Sequence, residues 1–174
     1  QVYFAGGEPL IMEEHYKILK AIIDIGKANQ VRLIYNTNFT RLSFKNLNVL
    51  DLWPEFQDVS VGASLDAMGP RAELVRNGTV WSDIETNREQ MLKKCPQVDF
   101  YISATLSAFN YRHVIDFHKA WVSKGFINWQ DWNMNVVQDP VHYRADILPL
   151  TVKKEVTQEY ENHIKQIEPF DHLG

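Results

Sequence analysis

The chain has 174 residues, of which 45% are hydrophobic and 12% aromatic, the profile of a globular domain with a core and not of a disordered tail. Its 22 acidic and 18 basic side chains leave a net charge of −4, so the basic footprint of a dedicated nucleic-acid binder is missing. The single cysteine, Cys95, excludes an internal disulfide and any cysteine-rich metal site built by this chain alone.

No apolar run approaches the ~20 residues that span a bilayer, and the opening QVYFAGGEPL is unlike a signal peptide. A cytoplasmic protein with neither a membrane nor a nucleic-acid partner is expected. The chain opens at Gln1 without an initiator methionine and already inside a strand-like run, which suggests a preceding segment.

In chain order, strand-like runs cover Gln1 to Ala5, Val31 to Thr37, Val59 to Asp66, Asp99 to Leu106 and Trp132 to Val137. Helical periodicity falls between and after them: Met12 to Ala28, Phe44 to Leu52, Ser82 to Lys94, Val114 to Ser123 and Lys153 to Ile167. In the first of these Tyr16, Leu19, Ile22 and Ile23 share one face. Strand starts roughly thirty to forty residues apart, with a helix in each interval, are the βα repeat of a parallel sheet. Residues 1–174 read as a single domain, with no internal repeat or low-complexity linker.

The strand faces narrow the architecture, because side chains alternate with period two. In the third run Val59, Val61, Ala63 and Leu65 oppose Ser60, Gly62, Ser64 and Asp66. In the fourth, Phe100, Ile102, Ala104 and Leu106 oppose Asp99, Tyr101, Ser103 and Thr105; in the fifth, Trp132, Met134 and Val136 oppose Asn133 and Asn135. A doubly wound sheet buries both faces and a closed barrel fills its lumen with branched apolar side chains. A small, polar second face fits neither. The expectation is an α/β fold, a curved or partial (β/α) barrel of parallel strands with helices outside and a polar cavity inside. The alternative is an ordinary α/β domain with half-solvated edge strands.

At the end of the first run, Gly6-Gly7-Glu8-Pro9 puts two glycines and a carboxylate where parallel α/β folds place ligands. Glycines let a ligand approach the backbone and open unusual φ values to it. Strand-end carbonyls plus the Glu8 carboxylate suit an ammonium ion; a phosphate asks for N–H groups and a lysine. A plain Gly-Gly turn with Glu8 in solvent is the other reading.

Gly6-Gly7-Glu8-Pro9 after the strand Val2 to Ala5 resembles the motif that closes the second strand of radical S-adenosylmethionine (radical SAM) enzymes, whose partial barrel is the architecture inferred above. Tyr35-Asn36-Thr37-Asn38 resembles the family's third-strand asparagine motif. Ser64-Leu65-Asp66 followed by Arg71 and Arg76 resembles its fourth-strand segment. The stretch from Ala63 to Glu73, with Arg76-Asn77-Gly78-Thr79, is similar to radical SAM proteins that carry a C-terminal twitch domain. The resemblance covers residues 1 to 137.

It implies that Gly6, Gly7 and Glu8, followed by Pro9, hold the ammonium of S-adenosylmethionine. Ser64 and one of Arg71 or Arg76 would reach its carboxylate or ribose, a guanidinium suiting a carboxylate bidentately. Asn38 and Asp66 are candidates for the pocket rim, Asp66 for sugar hydroxyls, while Ser103, Thr105, Asn133 and Asn135 would line the cavity near the adenosine and substrate. Asn38 capping the next turn, and surface roles for both arginines, stay open. The family's iron–sulfur cluster is held by a CxxxCxxC loop after the first strand. That loop is absent here, Cys95 beside Pro96 does not replace it, and no metal ligand is assigned in this chain. The chain therefore looks like part of a radical SAM core lacking the first strand and cluster loop.

Six histidines include no i, i+4 pair, so a helical zinc site is unsupported. The expected function is a radical SAM core that, in the intact protein, binds S-adenosylmethionine and an iron–sulfur cluster and generates an adenosyl radical for hydrogen abstraction. Its small-molecule or peptide substrate is unknown, and the chain alone is expected to be inactive. A non-catalytic binding module on a degenerate β/α barrel is the alternative. An aldolase-like Schiff-base barrel is weakened because no lysine lies in the strands. A missing first strand would leave the edge beside Gln1 to Ala5 open to self-association.

Overall fold

The computed structural model describes residues 1–170. The elements in order are β1 (Val2–Phe4), α1 (Glu13–Asp24), β2 (Arg32–Thr37), β3 (Ser43–Phe44), β4 (Leu47–Asn48), β5 (Asp58–Ala63), α2 (Gly69–Val75), α3 (Trp81–Lys94), β6 (Asp99–Leu106), α4 (His113–Ser123), β7 (Trp132–Val136) and α5 (Leu150–Ile167). Five strands form one sheet in the order β1-β2-β5-β6-β7, the sequential order that the βα spacing predicts. The pairs β1–β2, β2–β5 and β6–β7 are parallel. Among the described residues no helix is long and apolar enough to cross a membrane. The chain divides into two compact units, residues 1–64 with 78–101, and residues 65–77 with the chain from Ile102 on.

In the first unit the register sets Phe4 beside Tyr35, Leu33 beside Val59 and Tyr35 beside Val61, so one face of β1, β2 and β5 is apolar up to Thr37 at its end. Leu33, Tyr35, Val59, Val61 and Ala63 are all buried. Helix α1 lies on this face through His15, whose ring meets Phe4 edge-on at 4.8 Å and whose Nε2 hydrogen-bonds the Tyr35 hydroxyl at 2.9 Å. Burial lowers the His15 pKa to about 4, leaving the ring neutral. Helix α3 adds Ile84 and Met91 to the core and lays the Arg88 guanidinium over the Phe100 ring at 4.2 Å.

The helix expected over Phe44 to Leu52 is a hairpin followed by 3₁₀ turns. Strand β3 pairs antiparallel with β4, and Lys45 takes the left-handed φ of 54° in the two-residue loop between them. Asn48 then turns its side chain on the backbone, its Oδ1 accepting from Leu50 N at 2.9 Å, a local bond that competes with helix propagation. Val49, Leu50 and Trp53 are buried, so the apolar spacing is real although the periodicity is not helical. Helix α1 also stops at Asp24, short of the expected Ala28, where the N–H groups of Gly26 and Lys27 turn back on the carbonyls of Ile23 and Ile22.

The opposite face of the first unit is only partly the open polar surface expected. Tyr3 is 55% exposed and its hydroxyl accepts from Asn36 Nδ2 at 2.8 Å. Ser60 and Gly62, however, are buried. The Ser60 hydroxyl donates to Asp99 Oδ2 at 2.8 Å, and the Tyr101 ring covers Gly62.

In the second unit α4 packs Val114, Phe117 and Trp121 into a core with Ile102 and Ala104, and Phe117 meets Trp132 edge-on at 5.0 Å. Ser103 pairs in register with Asn133 and Thr105 with Asn135 on the polar face, as the alternation predicts. The apolar face of β7 departs from expectation: Met134 is 39% and Val136 52% exposed.

Candidate functional site at the strand ends

Strand β1 ends at Phe4, and the chain then passes through Gly6 at φ 81° and Gly7 at φ 60°, both left-handed and both exposed. A Cβ at Gly6 would meet nothing within 4 Å, so glycine is required there by the dihedral angle and not by crowding. The result is a bare, solvent-facing stretch of backbone whose carbonyls are available to a cation. Pro9 follows as the first residue of a 3₁₀ turn, with Glu8 as its N-cap.

The Glu8 carboxylate is fixed by three donors. Oε1 accepts from Thr37 Oγ1 at 2.6 Å and from Leu10 N at 3.3 Å, and Oε2 accepts from Asn38 N at 2.7 Å. A carboxylate offers about four lone-pair positions, so about one acceptor direction remains. Glu8 therefore staples the end of β1 to the end of β2. Thr37, 2% exposed, also accepts from Phe39 N at 2.9 Å. Sequence reasoning missed its role; the signal was a hydroxyl at the last position of an otherwise apolar strand face.

Asn38 turns inward locally, its Oδ1 accepting from Thr40 N at 3.0 Å and Thr40 Oγ1 at 2.7 Å, so its carbonyl is spent on capping. Ser64, half-buried, extends the β2–β5 pairing through its N–H to Thr37 O at 2.8 Å. Strand β5 has ended by then: the expected run to Asp66 stops at Ala63.

Asp66, 9% exposed, belongs to the second unit, and both of its carboxylate oxygens are engaged there. Oδ1 accepts from Thr105 N at 2.8 Å, and Oδ2 from Arg76 Nε at 2.8 Å. Arg71 donates from Nη1 to Phe109 O at 2.9 Å. A cavity of about 380 Å³ opens at the end of β6, with Asp66, Thr105 and Ser107 on its polar side and Phe109, Val137 and Tyr143 on its apolar side. Phe109 and Tyr143 meet edge-on at 4.9 Å. Thus Asp66, Arg76 and Thr105 come together, whereas Ser103, Asn133 and Asn135 do not line this cavity. A larger cavity of about 680 Å³, lined from α4, β7 and α5, contains none of the predicted site residues.

Among the described residues no three of His, Cys, Asp and Glu gather where a metal could be held. Cys95 is buried with its Sγ against Leu50 O at 3.2 Å, and burial pushes its thiol pKa up, the opposite of what a thiolate ligand needs. The residues present do not fit an iron–sulfur cluster.

No protein-family profile and no curated protein matches the chain. Solved structures do. Native anSMEcpe with bound AdoMet and Cp18Cys peptide matches with a TM-score of 0.57 at 23% identity, over 79% of this chain and 38% of that one. A histidine-tagged form of anSMEcpe with bound AdoMet matches with a TM-score of 0.55 at 21% identity, over 82% and 39%. The chain thus spans under two-fifths of the length of these neighbours. They are radical SAM enzymes of the anaerobic sulfatase-maturating kind, and at this identity the likeness is one of fold: the chain has the mostly parallel α/β architecture found in these AdoMet-binding proteins.

Proposed function

We propose that the chain is part of the S-adenosylmethionine-binding core of a radical SAM enzyme. The observation that carries this reading is the end of β1, where two exposed left-handed glycines stand beside a carboxylate held by three donors. Carbonyls of the bare Gly6–Gly7 backbone and the remaining acceptor direction of Glu8 suit the methionine ammonium. A phosphate would find acceptors there where it needs donors. The fold likeness to AdoMet-bound enzymes supports the same reading.

In the second unit, taken by itself, the cavity beside Asp66 and Thr105 is assigned to an adenosine group. Its Phe109 and Tyr143 walls suit a flat ring and its Asp66, Thr105 and Ser107 side suits sugar hydroxyls. Within that unit Arg71 or Arg76 is retained for a carboxylate or a ribose; Arg76 already spends Nε on Asp66, which leaves the terminal edge of its guanidinium. Ser103, Asn133 and Asn135 are left to the substrate. Asn38 contributes its backbone N–H to Glu8 and so acts on the ammonium site through that carboxylate.

When bound and reductively cleaved, S-adenosylmethionine supplies an adenosyl radical that abstracts hydrogen. This chain's residues bind and orient the cofactor. The cluster, a twitch domain, a cytoplasmic location and the substrate belong to the proposal for the intact protein. Calorimetric titration with S-adenosylmethionine tests the reading. Saturable binding that Glu8→Ala weakens about tenfold or more is expected, a charge-assisted hydrogen bond contributing roughly 1.5–3 kcal/mol. No binding by the wild-type chain, or equal affinity in the variant, overturns it.

A further inference from the structure

We propose that Asn110 is the positioning residue that assembles the polar side of the cavity at the end of β6; the inference rests on the assignment of that cavity to an adenosine group. Asn110 is 0% exposed, so it touches no ligand and acts only through its neighbours. Its Nδ2 donates to Asp66 O at 2.7 Å and to Thr105 O at 2.9 Å. Its Oδ1 accepts from Ser107 N at 2.7 Å and from Ser107 Oγ at 3.2 Å. Both donors and the acceptor oxygen of the amide are thereby used.

The three residues held in this way, Asp66, Thr105 and Ser107, are the polar residues lining the cavity. Thr105 and Ser107 precede Asn110 by five and three positions, whereas Asp66 stands 44 positions away and is brought to them only by the fold. The amide is itself anchored, since Asn110 O accepts from His113 N at 2.8 Å and Val114 N at 3.2 Å in the first turn of α4. One buried side chain therefore fixes a loop, a strand end and a carboxylate-bearing segment to the start of a helix. A carboxamide is required: a carboxylate of the same shape would face two carbonyl oxygens without a proton to offer either.

The test compares Asn110→Ser and Asn110→Asp with the wild type, titrating each with 5′-methylthioadenosine, which carries the adenosine half and no ammonium. Folding is followed in parallel by circular dichroism, at a temperature below both variants' melting transitions. Affinity about tenfold or more below wild type in a folded Asn110→Ser chain is expected. Asn110→Asp is expected to recover affinity as the pH falls through its carboxyl pKa, because the protonated acid regains one donor. A role confined to stability would lower the melting temperature and leave affinity unchanged. Equal affinity in the folded variants, or no folded state for either, overturns the inference. Failure of the wild type itself to bind 5′-methylthioadenosine overturns the cavity assignment instead.

Discussion

The ring of Tyr101 lies so close over Gly62 that a Cβ at that glycine would stand 2.8 Å from the ring's Cζ and hydroxyl oxygen. Gly62 is thus retained for the close approach of a neighbouring strand's side chain, and its backbone φ is ordinary. The atoms in the way are the far end of a half-buried side chain, so the ring yields before the strand does.

Gly62→Ala is therefore expected to fold, with a stability loss of about 1 kcal/mol, and to push the phenol outward. Burial, Asp99 and Tyr3 together hold the Tyr101 pKa above its ordinary value. With the ring expelled, the first of these weakens and the pKa falls back toward the ordinary tyrosine range. Tyrosine-labelled NMR titration of both chains reads this directly; an unchanged Tyr101 titration refutes the packing argument.

Thr37→Val tests the staple between β1 and β2. The substitution keeps the shape and removes the hydroxyl that donates to Glu8 and accepts from Phe39 N. Loss of a charge-assisted bond, with a main-chain donor left unpaired, is expected to cost about 2–3 kcal/mol in urea unfolding. S-adenosylmethionine affinity should fall as well, because Glu8 is no longer held. A stability change within about 0.5 kcal/mol, the ordinary surface range, is the contrary result.

The strands and most of the expected helices are legible because their apolar residues repeat with a period that burial enforces. The segment 43–53 is not. Its Phe44, Val49, Leu50 and Trp53 are spaced as on a helix, while the outcome turns on a left-handed Lys45 and an Asn48 side chain bonding its own backbone, choices that hydrophobic periodicity does not encode. The site divides in the same way. Gly6, Gly7 and Glu8 stand together in sequence and are readable as a strand-end motif. The partners that give Glu8 its orientation, Thr37 and Asn38, are 29 and 30 positions away. Asn110, between Phe109 and Tyr111, reads as an ordinary loop asparagine until its contacts are known.

Acid should destabilise the chain through its buried histidines. Burial lowers His15 and His118 to about 4 and lowers His163 as well. His118 Nε2 faces the Trp129 carbonyl and so carries the proton, which leaves Nδ1 to accept from His163 Nε2 at 3.1 Å. These imidazoles are neutral when folded and take up protons when unfolded, from about pH 6.5 downward. Stability is then fully present above that value and is lost as pH falls toward about 4, by about 2 kcal/mol at about pH 5 for each of His15 and His118. Melting temperatures at about pH 7 and 5 measure it, and His15→Phe should flatten part of the slope. A flat profile across that window contradicts the burial of these rings.

Among the described residues β1 pairs only with β2, which makes it an edge strand. Beside it lies a cavity of about 200 Å³ lined by Tyr3, Phe4, Met12 and Ile18 among others, and Tyr3, Met12 and Ile18 are all exposed. The edge is short, but it is flanked by exposed apolar side chains and carries no proline or lysine within Val2–Phe4. Concentration-dependent self-association is expected in sedimentation velocity. Ile18→Lys should suppress it, because the charge falls on an exposed position of α1 beside the edge and leaves the core side of that helix intact. A chain that stays monomeric at every concentration, or an Ile18→Lys chain that associates as the wild type does, would remove the edge as the contact.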